Sequence, residues 1–274
     1  MRPDLKASRV VDNRKVRVKT EEFRVDVEAG QLYVKRWTPA SCSIVAPVVL
    51  LHDSLGCTEL WRQFPEALAA VLSRPVIAYD RLGFGQSDAR HALPSFDFIA
   101  QEATEYFPAV KEFLSLQRYV VLGHSVGGSM AINIAADPDC QAAITVSSQA
   151  FVEDLTLRGI LDAKEMFAQP GQMERLQRWH GEKASWVFRA WTDIWLDPEY
   201  RGWSLQPALE RVDCPVLALH GDNDEFGSNA FPEFIADKVG DGQMLILENC
   251  GHVPHREKPE QLIAVVQEFL AGVS

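Results

Sequence analysis

The sequence predicts an α/β protein in which helices cover both faces of a mostly parallel sheet. Short, continuously apolar runs recur at Val48–Leu51, Val76–Tyr79 and residues 119–122, and a strand that is buried on both faces has this composition. Amphipathic helical patterns fill the intervals between these runs, which implies right-handed crossovers and a doubly wound sheet. The length of 274 residues suits one large domain of this class.

Two stretches that alternate between apolar and polar residues open the sheet. They cover residues 23–27 and 31–37 around Ala29-Gly30, and they predict an antiparallel hairpin. The other elements follow from the periodicity of the apolar residues. Helices are predicted at residues 60–72, 96–114, 129–136, 231–239 and 259–270, and further strands at residues 142–146, 215–219 and 243–247.

Residues 151–208 break this alternation of strands and helices. They contain no convincing strand pattern, favour helices, and hold five of the seven tryptophans. We therefore expect a helical cap inserted after the sixth strand, with residues 1–150 and 209–274 forming the sheet domain. Ligands of open α/β sheets bind at the carboxyl ends of the strands, so a cap at this edge would cover the binding site.

The charge balance limits the partners that the sequence favours. Lys and Arg number 27 against 38 Asp and Glu, which gives a net charge of −11. Such a surface repels nucleic acids and anionic membranes, and the basic run at residues 9–19 is expected to be a solvated tail. We expect a small-molecule substrate, no nucleic-acid or membrane partner, and a monomer or homodimer.

No apolar signal segment opens the sequence, and the longest apolar run, residues 44–51, is too short to span a bilayer. A cytoplasmic protein is therefore expected. The five cysteines include no Cys-x-x-Cys pair, which argues against a zinc site and a disulfide framework. His252 and His255 have the spacing of two metal ligands but lack a nearby third, so we expect no metal and no cofactor.

A candidate nucleophile stands between the apolar run at residues 119–122 and a helical pattern. The segment Gly123-His124-Ser125-Val126-Gly127 has the G-x-S-x-G spacing in the strand–turn–helix setting of a nucleophile elbow. The tight turn needs small residues two positions before and after the serine. The Val126 amide and the helix N-terminus would stabilise negative charge that develops beside Ser125.

A serine nucleophile needs a base, and the base needs a carboxylate to orient it. The loop after the strand at residues 215–219 carries Asp222, Asp224 and Glu225, and the loop after the last strand carries His252. The chain order is therefore Ser, Asp, His. From these residues alone, either Asp222 or Asp224 could be the acid.

On these motifs the chain resembles the α/β-hydrolase fold superfamily, in its serine hydrolase and esterase branch with a helical lid, from about residue 21 to 272. The segment Asp80-Arg81-Leu82-Gly83-Phe84-Gly85-Gln86-Ser87 matches the family's D-x-x-G-x-G-x-S loop. The resemblance implies the α/β-hydrolase fold and a catalytic triad of Ser125, Asp224 and His252. Family spacing favours Asp224 as the acid.

The resemblance also implies an oxyanion hole built from two backbone amides, those of Val126 and Ser54. Asp53 stands where family members usually carry glycine, beside His52, which is expected to shape the loop. Two alternatives remain open for the Asp53 carboxylate. It enters the substrate pocket, or it points outward and only caps the turn. His124 is expected to point away from Ser125 and to play a packing or supporting role.

The cap predicts the character of the substrate. Trp191 and Trp195 are candidate pocket residues together with Asp53, which suggests a small ester with a hydrophobic part. A lactone, thioester or activated amide would use the same chemistry. The alternatives are hydrolysis of a carbon–carbon bond, as in the family's meta-cleavage-product hydrolases, and a non-catalytic small-molecule receptor. Serine at the nucleophile position argues against dehalogenase and epoxide hydrolase chemistry, which uses a carboxylate there.

Overall fold

Eight strands form one sheet in the computed structural model, which describes residues 17–42 and 45–273. The strands are β1 (Val18–Val27), β2 (Gly30–Pro39), β3 (Val48–Leu51), β4 (Val76–Tyr79), β5 (Tyr119–His124), β6 (Cys140–Val146), β7 (Val216–Gly221) and β8 (Gly242–Leu247). Their order is β1-β2-β4-β3-β5-β6-β7-β8. The pairs β1–β2 and β2–β4 are antiparallel and the others are parallel, which confirms the predicted fold class.

Eleven helices accompany the sheet in these described ranges. They are α1 (Phe64–Leu72), α2 (Phe98–Gln101), α3 (Phe107–Phe113), α4 (Val126–Ile134), α5 (Asp154–Phe167), α6 (Gln172–His180), α7 (Ala184–Trp195), α8 (Gln206–Leu209), α9 (Ala230–Lys238), α10 (Pro254–Glu257) and α11 (Pro259–Ala271). Short 3-10 turns occur at Thr58–Trp61, Gly181–Lys183 and Pro198–Gly202.

The sheet separates two apolar layers, because successive side chains of a strand point to opposite faces. In β3, Val49 and Leu51 pack into one layer while Val48 and Leu50 pack into the other. Helices α2, α3, α4, α8 and α9 cover the first layer, and α1 and α11 cover the second. All residues of β3, β4 and β5 are buried, which explains the continuously apolar runs in the sequence.

Three predicted helices differ in detail from the observed ones. The helix predicted at residues 60–72 is interrupted at Arg62, whose φ is 56°. The helix predicted at residues 96–114 contains a π turn at Glu102–Tyr106, next to Pro108, which has no N–H to donate to the preceding turn. The helix predicted at residues 129–136 begins at Val126, so its N-terminus lies directly at Ser125.

The basic run at residues 9–19 was expected to be a tail, and this prediction is wrong for its last residues. Val18 and Lys19 belong to β1 and pair with Pro39 and Thr38. The Lys19 ammonium lies 2.8 Å from the Glu21 carboxylate on the same strand. Residues 9–16 lie outside the described residues. No helix of the described chain has the length and apolar character needed to cross a membrane.

Helices α5 to α8 lie between β6 and β7 in the chain. At the ends of this segment, Phe151 and Ser204 form an isolated antiparallel bridge. At its far side, Nδ1 of His180 accepts a hydrogen bond from the Gly85 N–H at 2.9 Å. The Lys183 ammonium donates to the Gly85 carbonyl at 2.7 Å. The helical segment is thus fastened to the loop that follows β4.

Candidate active site

Strand β5 and helix α4 meet at Ser125 in a turn that only small neighbours permit. Ser125 has φ 55° and ψ −129°, outside the regions that residues with a Cβ atom ordinarily occupy. A Cβ atom at Gly123 would lie 2.0 Å from the Gly127 carbonyl oxygen, and one at Gly127 would lie 2.2 Å from the Leu51 carbonyl oxygen. The G-x-S-x-G spacing is therefore a packing requirement of this turn.

The loops after β7 and β8 bring an acid and a histidine together. Nδ1 of His252 lies 2.8 Å from Oδ2 of Asp224 and 2.9 Å from its Oδ1. Oδ1 of Asp224 also accepts a hydrogen bond from the Phe226 N–H at 2.7 Å. Asp222 instead accepts from the Cys250 N–H at 3.1 Å. Of the two candidate acids, the structure brings Asp224 to the histidine.

Burial and charge act in opposite directions on this pair. Burial would lower the pKa of His252, but the charge and hydrogen bond of Asp224 outweigh it, so this pKa is raised above 6.5. Burial would raise the pKa of Asp224, but the charge and hydrogen bond of His252 hold it below 3.8. Asp224 is therefore ionised at neutral pH and stabilises a positive charge on His252.

Gln149 is a polar neighbour of the serine that no sequence motif indicates. The Ser125 hydroxyl donates to Oε1 of Gln149 at 3.4 Å, and Gln149 is only 4% exposed. Gln149 lies three residues beyond the end of β6. The carboxyl ends of parallel strands share one edge of the sheet. A polar residue just beyond the end of β6 was therefore the one sequence feature that pointed to this neighbour.

The loop after β3 presents a backbone amide beside the serine. Within residues 17–42 and 45–273, neither the Ser54 N–H nor the Val126 N–H donates a hydrogen bond, and Ser54 and Ser125 line the same cavity. His52 shapes this loop, since its Nδ1 donates to the Asp53 carbonyl at 2.8 Å while its Nε2 accepts from the Arg81 N–H at 3.1 Å. Both amides are therefore without a hydrogen-bond partner within these described ranges.

The Asp53 carboxylate contacts the turn and also borders the cavity, so it does more than cap the turn. Its Oδ1 caps the turn by accepting a hydrogen bond from the Leu55 N–H at 2.8 Å. The side chain also keeps 25% of its surface exposed and lines the cavity above Ser125. Its Oδ2 lies 3.2 Å from Nδ1 of His124, so both carboxylate oxygens have partners inside the protein.

A cavity of about 190 Å³ lies above Ser125, between the sheet and helices α5 and α7. Its walls are mostly apolar, and they include both tryptophans that the sequence suggested. The lining residues are Asp53, Ser54, Leu55, His124, Ser125, Gln149, Thr156, Ile160, Trp191, Trp195, Phe226, His252 and Val253. The indole N–H of Trp195 is buried and has no hydrogen-bond partner among the described residues.

A wider groove of about 630 Å³ lies elsewhere, beside α3 and the end of α4. Its lining contains neither Ser125 nor His252, so the chemistry belongs to the smaller cavity. Across the described chain, no three His, Cys, Asp or Glu side chains gather in a way that could hold a metal ion.

Comparisons with known proteins agree with this architecture. The model of the alpha/beta hydrolase family matches residues 48–265. A proline iminopeptidase of Lactobacillus helveticus is 24% identical over 264 residues, covering 82% of this chain and 89% of that protein. A proline iminopeptidase of Heyndrickxia coagulans is 22% identical over 294 residues, covering 93% and 99%.

Solved structures have the same fold. Proline iminopeptidase of Mycobacterium smegmatis superposes with a TM-score of 0.70 at 24% identity, over 92% of this chain and 98% of that one. Carboxylesterase CesB of Bacillus subtilis superposes with a TM-score of 0.70 at 20% identity, over 93% of each chain. On the family model, which spans most of its length, the chain belongs to the alpha/beta hydrolase family and is a hydrolase.

Proposed function

We propose that this protein is a serine hydrolase that cleaves a small, hydrophobic ester through an acyl-enzyme on Ser125. The observation that carries the proposal is the meeting of three residues at one cavity. A serine in an elbow conformation and the His252 ring line the cavity, and Asp224 binds the far side of that ring. A nucleophile, a base and an acid that orients the base are the groups that nucleophilic acyl transfer requires.

In this proposal each group has a distinct role. Asp224 engages Nδ1 of His252, which leaves Nε2 to take the proton of the Ser125 hydroxyl as Oγ attacks the acyl carbon. The ionised Asp224 then stabilises the imidazolium. His252 returns this proton to the leaving alcohol, and afterwards activates the water that attacks the acyl-enzyme.

The unpaired amides of Ser54 and Val126 are the candidate donors to the oxyanion of each tetrahedral intermediate. Val126 is the first residue of α4, so its N–H lies at the positive end of that helix. Ser54 belongs to a loop held by His52 and Arg81. Donors that are fixed before the reaction stabilise the developing charge without reorganisation.

The size of the cavity favours a small acyl group. Its volume of about 190 Å³ lies below the range of roughly 300–1,000 Å³ that is typical for drug-sized ligands. Ile160, Trp191 and Phe226 give it apolar walls. A short or compact hydrophobic acyl chain is therefore the expected substrate part, and lactones, thioesters and activated amides offer the same carbonyl.

Two other reaction classes find less support in the cavity. The relatives include proline iminopeptidases, and an N-terminal amine would need a free anionic partner. Asp53 is the only acidic residue of the lining, and both its oxygens are already engaged. A carbon–carbon hydrolase of meta-cleavage type would need a cation for a substrate carboxylate, and this lining contains no lysine or arginine.

An activity-based probe tests the proposal without knowledge of the substrate. Incubation with a fluorophosphonate should increase the mass of the protein by one phosphonyl group, attached to the peptide that contains Ser125. Ser125→Ala and His252→Ala should lose the adduct, whereas Ser95→Ala, which removes an exposed hydroxyl far from the cavity lining, should retain it. A folded wild-type protein without the adduct, or with an adduct on another residue, contradicts the proposal.

A further inference from the structure

Three segments of the candidate active site are connected through the side chain of His124. Its Nδ1 lies 3.2 Å from Oδ2 of Asp53, in the loop after β3. Its Nε2 lies 2.7 Å from the main-chain carbonyl oxygen of His252, in the loop after β8. His124 itself precedes Ser125 and is 1% exposed. The chain Asp53–His124–His252 therefore lies beside the serine, along the same cavity.

The hydrogen-bond chemistry of this chain fixes its protons. A carbonyl oxygen only accepts, so Nε2 of His124 must carry a hydrogen. A neutral imidazole would then have a bare Nδ1 facing the Asp53 carboxylate, and two acceptors repel each other. The 3.2 Å contact therefore requires a second proton, held by His124 or by Asp53.

The surroundings of Asp53 place that proton on His124. Oδ1 of Asp53 accepts from the Leu55 N–H at 2.8 Å, which favours the ionised carboxylate. Its Oδ2 then accepts from Nδ1 of His124 at 3.2 Å. The geometry therefore fits a carboxylate that faces a doubly protonated ring.

The other titratable groups around this pair come from several segments of the chain. Burial lowers the pKa of His52, beside Asp53, and of His255, at the start of α10, well below 6.5. Both rings are therefore neutral at neutral pH. Arg81, after β4, donates to the Asp53 main-chain carbonyl at 2.8 Å. His252 is a further titratable neighbour, with its ring centroid 5.1 Å from that of His124, and Cys57 and His180 also lie near Asp53.

We propose that Asp53 and His124 form a positioning pair, which sets the base His252 and the amide of Ser54 relative to Ser125. The imidazolium holds the main chain of His252, and the carboxylate holds the turn that presents the Ser54 N–H. This role rests on the proposed serine hydrolase function. A loss of alignment of about 1 Å at reacting groups costs roughly 100-fold in rate, so such a pair would act on the chemical step rather than on substrate binding.

Kinetics of four variants test the role. Asp53→Asn keeps the shape of the side chain and removes its charge, and His124→Gln keeps a donor but cannot become a cation. Each should lower kcat roughly 10- to 100-fold, with KM changed by less than about threefold, and should slow fluorophosphonate labelling by a similar factor. The double variant should lose no more than the worse single one, because the two residues act as a unit. Asp162→Asn, which removes an exposed carboxylate on α5, is the matched control and should leave both rates unchanged.

A spectroscopic measurement separates this inference from the proposed function. Nitrogen-15 NMR of histidine-labelled Ser125→Ala protein needs no catalysis, and His124 is assigned by comparison with the His124→Gln form. At neutral pH both ring nitrogens of His124 should be protonated, and the Asp53→Asn form should show one unprotonated nitrogen. A melting temperature close to that of the wild type establishes that each variant is folded.

The possible results distinguish failure of this inference from failure of the proposed function. A neutral His124 in the native protein overturns the inference, whatever the activity. Unchanged kcat and an unchanged labelling rate in both single variants also overturn it. So does a KM increase in Asp53→Asn that is confined to cationic esters, because Asp53 would then recognise the substrate. If the wild-type protein takes no label while NMR shows the imidazolium, the proposed function fails and the ion pair stands as a structural feature.

Discussion

Nδ1 of His252 lies 2.8 Å from Oδ2 of Asp224, although 28 residues separate them in the chain. Strands β7 and β8 are parallel neighbours, so the loops at their carboxyl ends face the same edge of the sheet. In the proposed mechanism this contact leaves Nε2 of His252 for Ser125, and the titration of His252 sets how the activity depends on pH.

Activity should rise with pH through the titration of His252. The base accepts the serine proton only when it is neutral, and Asp224 raises the pKa of His252 above 6.5. The expected kcat/KM profile on a simple aryl ester therefore falls on the acid side with a midpoint above 6.5. A profile that is flat between about pH 5 and 9 would contradict His252 as the base.

Asp224→Asn should lower kcat about 10,000-fold, because the amide no longer stabilises the imidazolium and favours the wrong tautomer. Asp222→Asn is the matched control, since Asp222 is exposed and accepts hydrogen bonds from Asn223 and from the Cys250 N–H, but not from the His252 ring. Steady-state rates of the two variants compare the candidate acids directly. A severe loss in Asp222→Asn with a mild one in Asp224→Asn would reverse the assignment.

Gln149→Leu should accelerate labelling of Ser125 about two- to fivefold. The serine hydroxyl donates to Gln149 in the resting site, and it must leave this partner before it can donate to His252. One such hydrogen bond is worth about 0.5–1 kcal/mol. The second-order rate of phosphonylation measures the effect. A slower rate would show that the amide assists the transition state instead.

Trp191→Ala should shift the preference of the enzyme toward longer acyl chains. The indole forms part of the apolar wall, and its removal enlarges a cavity that limits chain length. Comparison of kcat/KM for p-nitrophenyl acetate, butyrate, hexanoate and octanoate gives the profile. Trp179→Ala is a suitable control, because Trp179 stacks on Arg62 and lies outside the lining. An unchanged profile in Trp191→Ala would place the acyl group elsewhere.

The hydrogen bond that links the end of α6 to the loop after β4 should weaken in acid. Burial lowers the pKa of His180 from 6.5 to about 4, and its Nδ1 accepts from the Gly85 N–H only while that nitrogen is unprotonated. The unfolded chain binds this proton more readily, so the contribution is complete above pH 6.5 and is lost as the pH falls toward 4. At about 1.4 kcal/mol per pKa unit, the full loss is about 3 kcal/mol.

Melting temperatures at neutral pH and near pH 5 measure this effect. His52 and His255 are also buried and neutral, so several histidines make the free energy of unfolding fall as the pH is lowered. His180→Gln removes one of them and should show a smaller drop between the two conditions. An equal drop in the variant and the native protein would contradict the role of His180.

Sequence patterns predicted the sheet and the residues at its carboxyl edge because both depend on local rules. Buried strands are continuously apolar, and Gly123 and Gly127 are required by the closeness of the chains around Ser125. The choice of Asp224 over Asp222 came from family spacing, and in the structure Asp224 is the one that binds His252.

The features that the sequence did not reveal depend on contacts between distant segments. The partners of His124 are 71 and 128 residues away, and no local periodicity encodes them. Gln149 follows a strand without a recognisable motif. The interruption at Arg62 and the π turn before Phe107 are backbone adjustments, which an apolar period alone does not distinguish from a continuous helix.

The bridge between Phe151 and Ser204 has a consequence for how this chain can diversify. The two ends of the 151–208 segment pair with each other at this bridge. The chain therefore leaves the sheet and returns to it at neighbouring positions, and the helices between form one excursion. This excursion supplies Thr156, Ile160, Trp191 and Trp195 to the cavity. A substitution at one of these four positions can therefore reshape the cavity without changing a residue of any strand.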